Sequence, residues 1–426
     1  MYKHSCGHTH PSPFGEGLGV RLHSLADGPF DDLLNKIAEK LFNEKVSRGY
    51  IDDGLYQKTA EDLLKAMHGG LGGATFSFED PRNTLKAYFE QNIYSFSAAK
   101  SQAELLQFRS LLTDSNGNAR TFIEFRNSVI DAGYQFNNTW LKTEYNTANA
   151  SAQSAAQWQK FIENGTEILE YTTAGDGRVR PAHAVLDGFT AKIDDPVWNI
   201  IYPPEDWNCR CWVIPGLAQN IGLINPDMEM VKENIPVQFQ KNVGTTKTIF
   251  SDDIPYYKAG GANPKELMAE KNYGMPSVQK LYSKYDFPAK IELADKAAAN
   301  AWWSDMAGGL RSDFYIKDVN NVVIKLDNNF RFHISEQNAD KRWKFIANIP
   351  EIIKSPDEIW SLKEKGQLKR YYLKYYNDAP IVVMVNATDT EPLRAYTATE
   401  LQRGGKMNVA NINKIRRGTL IYRNNR

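Results

Sequence analysis

From Leu33 to Ile162 apolar residues recur at steps of three and four, the spacing that sets them on one face of an α-helix. The stripes are Leu33, Leu34, Ile37, Leu41, Phe42 and Val46, then Leu85, Phe89, Ile93 and Phe96, then Leu105, Leu106, Phe108, Leu111 and Leu112. A further stretch from Thr121 to Tyr145 carries Phe122, Phe125, Val129 and Ile130 on one side, and residues 150–162 are rich in small, helix-forming side chains. No stripe can bury itself, so the pattern calls for several helices packed on one another in an elongated bundle, with the stripes as its core.

The pattern stops after Glu167. Ile168 to Thr173 reads as a strand followed by the turn Ala174-Gly175-Asp176-Gly177, and from there to Pro215 the chain is dense in Pro, Gly, Asp and Trp, as in a compact loop-rich element. Residues 217–299 have weak periodicity and a natural break at Gly260-Gly261, which predicts a connector with short helices. Beyond it, Asp313 to Lys317, Val322 to Leu326 and Phe330 to Ile334 read as short strands. Arg342 to Lys354 reads as a helix kinked or stopped at Pro350, and Ser355-Pro356-Asp357 as the start of another. Lys369 to Tyr375, Pro380 to Asn386 and Leu393 to Thr399 complete a set of strands. The predicted fold class is α+β multidomain. Its expected parts are a Cys/His-bearing segment over 1–20, a mainly helical domain over 21–216, the connector over 217–299, and a small α+β domain with an antiparallel sheet over 300–426.

The chain has 426 residues, with 51 basic and 51 acidic side chains. The resulting zero net charge is a cancellation. From Arg331 onward there are eighteen basic and ten acidic residues, and from Leu401 onward seven basic and no acidic ones. Such asymmetry points to nucleic-acid contact by the basic part. A membrane span is excluded, because the longest notable apolar stretch, Ile381 to Val385, is far short of the ~18 residues needed. The N-terminal MYKHSCGHTHPSPFG has no apolar signal region, and three cysteines do not make a disulfide framework. Both features predict synthesis in a reducing cytoplasm.

Within Thr172 to Pro215, His183, Cys209 and Cys211 are types that bind zinc, and Cys-x-Cys can fill two corners of a tetrahedron. A structural zinc is one reading, although no fourth ligand stands out. The other is that the cysteines are small buried packers and His183 a hydrogen-bonded structural residue. His4, Cys6, His8 and His10 form a second group of metal-ligand types that could complete a site with Cys209 and Cys211.

The runs RVRPAHAVLDG and DDPVWNIIYPPEDWNCRC, preceded by TEYNTANASAQSAAQWQKF, resemble the signature of the phage Mu protein F family of minor head proteins, over roughly residues 80–215. The resemblance implies a virion component made in the cytoplasm of an infected bacterium. It would be placed near the portal, with portal and capsid proteins as partners. The family has no agreed catalytic residues, so it implies no active site.

The C-terminal region combines His333, Lys341 and Arg342 with Thr397 and Thr399 on a predicted strand. Metal-independent RNA cleavage needs these types: a base of near-neutral pKa for the 2′-hydroxyl proton, cations for the phosphorane charge, and hydroxyls to hold the phosphate. No acidic cluster suited to two metal ions stands beside them. Arg370, Tyr372, Arg394, Arg416 and Arg417 are the expected nucleic-acid contacts, with Trp343, Tyr371 and Tyr396 as further stacking candidates.

The runs RFHISEQNADKRWKFIANIPEIIKSPDEIW, RYYLKYY, PIVVMVN and LRAYTATE, over about residues 310–426, resemble phage nuclease domains of the barnase, EndoU, colicin E5/D and RelE-like group. The resemblance implies His333 as general base or acid, Lys341 or Arg342 as stabiliser of the transition state, and Thr397 or Thr399 as the phosphate contact. The expected activity is that of an RNase-like effector. The alternative is a purely structural virion protein whose basic C-terminal module binds RNA, packaged DNA or another virion protein without catalysis.

Overall fold

A computed structural model describes residues 29–259, 263, 266–337, 341–365, 367–387 and 393–424. His4, Cys6, His8 and His10 lie outside the described residues. The fold is α+β, and it divides into two compact units: Met1–Gly72 with Phe96–Ala262, and Gly73–Ser95 with Asn263–Arg426. The expected 217–299 connector is therefore shared between the units, and the division falls beside the anticipated break at Gly260-Gly261.

In the first unit the apolar stripes become helices α1 (Pro29–Asn43), the later part of α3 (Arg82–Ser110), α4 (Phe122–Tyr134) and α5 (Leu141–Glu163), and a helix outside those stripes, α2 (Asp53–Leu71), lies between α1 and α3 in sequence. Local chemistry sets their ends. Asp52 caps α2 by accepting from the Leu55 amide, and Thr121 and Glu124 form a reciprocal capping box on α4. The small residues of α5 face inward, with Ala148, Ser151, Ala152 and Ala155 all buried. They let α2 approach closely: a Cβ on Gly70 would stand 2.2 Å from the Asn149 carbonyl oxygen, so only glycine fits there.

Polar groups are buried in this bundle. Lys100 donates to Glu144 at 2.6 Å and Tyr256 donates to the other Glu144 oxygen at 3.0 Å. Glu104 accepts from Asn137, but burial pushes its carboxyl up to about 8 against the opposing charge of Lys100. A proton is thus held more tightly by folded Glu104 than by the unfolded chain. Its stabilising contribution is complete below the unfolded value of 4.5 and is lost as the pH rises toward 8. We expect this group to remove on the order of 3–4 kcal/mol of unfolding free energy across that window. Glu104→Gln should abolish that part of the slope. Denaturant titrations of both proteins at the two ends of the window check it, and identical pH slopes would refute it.

After α5 comes a three-stranded antiparallel sheet with β1 (Ile168–Thr172) between β2 (Thr190–Lys192) and β3 (Trp212–Pro215). The loop-rich element expected from the Pro, Gly and Asp content hangs on this sheet.

The second unit is built on β4 (Phe314–Lys317), β5 (Val323–Leu326), β6 (Glu358–Glu364), β7 (Gln367–Lys374), β8 (Ile381–Ala387), β9 (Arg394–Glu400) and, beyond the short hairpin β10 (Gln402–Arg403) and β11 (Lys406–Met407), β12 (Thr419–Arg423). The sheet order is β12-β6-β7-β8-β9-β5-β4, antiparallel except where β5 meets β9. β8 lies mid-sheet with Ile381, Val382, Val383 and Val385 fully buried.

Two expectations are corrected here. Phe330 to Ile334 is part of a helix, Asn328–Ser335, capped by the Asp327 carboxylate on the Phe330 amide. The alternation of Phe330, Phe332 and Ile334 imitates a strand, yet Phe332 is exposed and Arg331 is buried, donating to Asn328 and Asn300. Ser355-Pro356-Asp357 does not start a helix either. The Asp357 amide donates to Leu373 and its carboxylate accepts from the Tyr375 amide, which extends β6 along β7. Pro350 sits in the first turn of the helix Ile349–Lys354, directly after a 3₁₀ segment, Arg342–Asn348. Among the described residues no helix is long and apolar enough to cross a membrane.

Candidate functional site

In the second unit the helix Asn328–Ser335 presents His333 near its C-terminal end, and the 3₁₀ segment begins with Arg342. Both reach one hydroxyl on β9. His333 Nε2 lies 3.1 Å from Thr397 Oγ1, and Arg342 Nη1 donates to the same oxygen at 3.0 Å. On its other side, His333 Nδ1 is 3.3 Å from Gln337 Oε1.

A bulge in β9 sets up this convergence. Met384 of β8 pairs with Thr397 and the next residue, Val385, with Ala395, which leaves Tyr396 as the extra residue. The bulge makes Ala395 and Ala398 the buried positions, where strict alternation would pair Ala395 with Thr397. A base, a cation and a hydroxyl thus meet at a half-buried spot, the minimum for proton transfer next to a developing phosphorane charge.

The remaining expected residues divide. Lys341 is exposed with left-handed backbone (φ 53°), and Thr399 contacts the Glu400 carbonyl at 3.4 Å. Neither is brought to Thr397 as Arg342 is. Arg394 is partly exposed, 3.9 Å from Asp327, and Arg417 is exposed.

Arg370, Tyr372 and Arg416 are corrections: all three are buried and cannot meet a nucleic acid in this fold. Arg370 donates to the Ala87 carbonyl and to Glu90 at 2.9 Å, and lies 3.5 Å from Asp318. Tyr372 donates to Asp318 at 2.7 Å, and Arg416 donates to Glu358 at 2.9 Å. Of the stacking candidates, Trp343 is buried too, while Tyr371 and Tyr396 are partly exposed. Glu90 and Asp318 were not legible as network residues, because their partners come from distant stretches of chain, and Gln337, four residues from His333, was hidden by the strand expected there.

In the first unit the loop-rich element brings His183, Cys209 and Cys211 together, their ligand atoms all within 4.8 Å of one another. His183 comes from the short helix Pro181–Ala184, and the cysteines precede β3. Arg180 ties these segments by donating to the Trp207 carbonyl and pairing with Asp206 at 2.8 Å. Glu205, which sequence reasoning passed over, is wholly buried 3.4 Å from His183 Nδ1 and accepts from Tyr171 at 2.5 Å. Burial, then the charge at Cys209, pushes the Glu205 carboxyl well above the usual range. The hydrogen bond from Cys211 holds the Cys209 thiol well below its ordinary value.

Two family models match these two parts of the chain. Residues 115–214 match Phage Mu protein F like protein, and residues 305–423 match phage-Barnase-EndoU-ColicinE5/D-RelE like nuclease2. The chain therefore joins a Mu F-like phage morphogenesis domain to a domain of that nuclease-like family, the fused architecture expected from its motifs.

Among curated proteins, the Mu-like prophage FluMu F protein of Haemophilus influenzae is 32% identical over 111 residues, 24% of this chain and 27% of its own length. The "Putative capsid assembly protein F" of Escherichia phage Mu is 36% identical over 75 residues, 17% of each chain. An uncharacterized protein of Haemophilus influenzae is 31% identical over 107 residues, 25% of this chain and 22% of its own. The matches span about a quarter or less of the length of these relatives. No solved structure matches the chain.

Proposed function

We propose that this is a phage capsid-morphogenesis protein that works near the portal in the virion and carries a metal-independent ribonuclease in its second unit. The observation that carries the enzymatic part is the meeting of His333 and Arg342 on Thr397 Oγ1. A phosphodiester at that hydroxyl would have an imidazole beside its ribose and a guanidinium beside its phosphate. His333 takes the 2′-hydroxyl proton, the 2′ oxygen bonds to phosphorus, the bond to the 5′ oxygen breaks with that oxygen taking a proton from water, and Arg342 offsets the charge on the phosphoryl oxygens. Products would end in 2′,3′-cyclic phosphates.

The structural part rests on the Mu F-like match over residues 115–214 and on the similarity to the putative capsid assembly protein F of phage Mu. From it we infer portal and capsid proteins as partners.

The test is incubation of the full chain with total bacterial RNA, with and without EDTA. Cleavage that survives EDTA and leaves cyclic ends is expected. Intact RNA would leave only the non-catalytic module, and cleavage lost in EDTA but restored by Mg²⁺ and not by Zn²⁺ would overturn the metal-free mechanism. For the structural part, the protein should be present in purified particles and co-purify with the portal protein; absence from particles would refute it.

A further inference from the structure

We propose that the first unit holds a structural zinc ion bound by His183 Nδ1, Cys209 Sγ, Cys211 Sγ and a carboxylate oxygen of Glu205. The distances match the edges of a metal tetrahedron. With Zn–S near 2.3 Å and Zn–N and Zn–O near 2.0–2.1 Å, a tetrahedral site has S···N edges of about 3.5 Å and an N···O edge of about 3.4 Å. His183 Nδ1 stands 3.7 Å from Cys209 Sγ, 3.7 Å from Cys211 Sγ and 3.4 Å from Glu205 Oε2. A direct imidazolium–carboxylate hydrogen bond would close to about 2.7–2.9 Å, so His183 and the Glu205 carboxylate stand apart as two ligands of one ion do.

An independent observation points to a missing partner. Glu205 Oε1 is buried and has no hydrogen-bond partner, in a residue with no exposed surface. Leaving such an atom unmade costs about 1–3 kcal/mol or more, which coordination would offset. Oε2, the oxygen 3.4 Å from His183 Nδ1, is held by the Tyr171 hydroxyl, the kind of outer hydrogen bond that orients a carboxylate whose second oxygen, Oε1, is left for the ion.

Donor chemistry selects the ion. Two sulfurs and an imidazole favour zinc over calcium or magnesium, and four protein ligands in a buried site leave no open position for substrate, so the ion is structural. It would staple the turn carrying His183 to the loop 205–211 and, through Tyr171, to β1.

The experiment uses the full chain. Purified protein should retain about one zinc per chain. Reconstitution with Co²⁺ alone should give the intense visible absorption of tetrahedral cobalt with thiolate charge-transfer bands. Cys209→Ser should lose zinc and those bands, Glu205→Gln should weaken zinc affinity at least tenfold and shift the cobalt spectrum, and Cys6→Ser should change neither. Because Cys209→Ser can fail to fold, the wild type is also titrated with a chelator, which should lower its Tm, with recovery on added Zn²⁺. Zinc-free protein whose Tm ignores both chelator and Zn²⁺ overturns the site. A cobalt spectrum altered by Cys6→Ser and indifferent to Glu205→Gln overturns Glu205 as the fourth ligand.

Discussion

Replacing His333 by Ala is expected to cut RNA cleavage by the full chain by about 10²–10⁴-fold, the usual contribution of a positioned general base or acid. In the tautomer whose Nδ1–H donates to Gln337, Nε2 is unprotonated and faces Thr397 Oγ1, where the ribose hydroxyl of a substrate would arrive. Arg342→Ala should cost about 10²–10³-fold through lost charge stabilisation, whereas Lys341→Ala should cost far less, because only Arg342 reaches Thr397. His333 is partly exposed, so the Tm should stay near wild type. Cleavage that persists in His333→Ala at the wild-type rate would remove the histidine from the mechanism. Normal rates in Arg342→Ala would do the same for the arginine.

The second large effect is on stability. Arg370→Met is expected to destabilise the second unit by about 3–5 kcal/mol, the range seen when one partner of a buried ion pair is removed. Arg370 is fully buried and serves Glu90 and Asp318 together, so its loss strands two carboxylates beside Tyr372. Burial already raises Glu90 to about 7 despite Arg370 and Lys86. Without Arg370 it should titrate higher still and escape by taking a proton. The loss should therefore be larger above pH 7 than at pH 5, and Glu90→Gln in the same chain should restore part of it. Denaturant titration at both pH values measures this. An unchanged Tm together with weakened RNA binding would instead return Arg370 to the surface role its charge suggested.

Glu90 also shows why the second unit cannot be cut at residue 300. It lies in 73–95, a stretch that belongs to this unit, and Lys86 in the same stretch donates to the Asn320 carbonyl. A fragment of residues 300–426 would lack both. Nothing in the local pattern near Glu90 indicates this, because the apolar spacing of Leu85, Phe89 and Ile93 is the same helical spacing found throughout the first region.

Features that depend on neighbours within a few residues were legible in the chain. The helical stripes, the β7 to β9 strands and the two families all rest on local spacing or contiguous motifs, and each appears where that spacing put it, while the turn expected at Ala174-Gly177 falls two residues later, closed by the Val179 amide on the Asp176 carbonyl. His333 stands out in the sequence although its local structure does not, since a period-two run of Phe330, Phe332 and Ile334 is overruled by an Asp327 cap and a buried Arg331.

Tertiary structure alone decided which charges face water. Arg370, Arg394, Arg416 and Arg417 are the same residue in sequence, but the first and third lie opposite buried carboxylates while Arg394 and Arg417 remain at the surface. It also decided that Glu205, and not only the expected Cys and His residues, stands at the zinc-like cluster. Burial and pairing are set by chain segments tens to hundreds of residues apart. A linear sequence displays the groups that can ionise or ligate, and only the fold determines what each one meets.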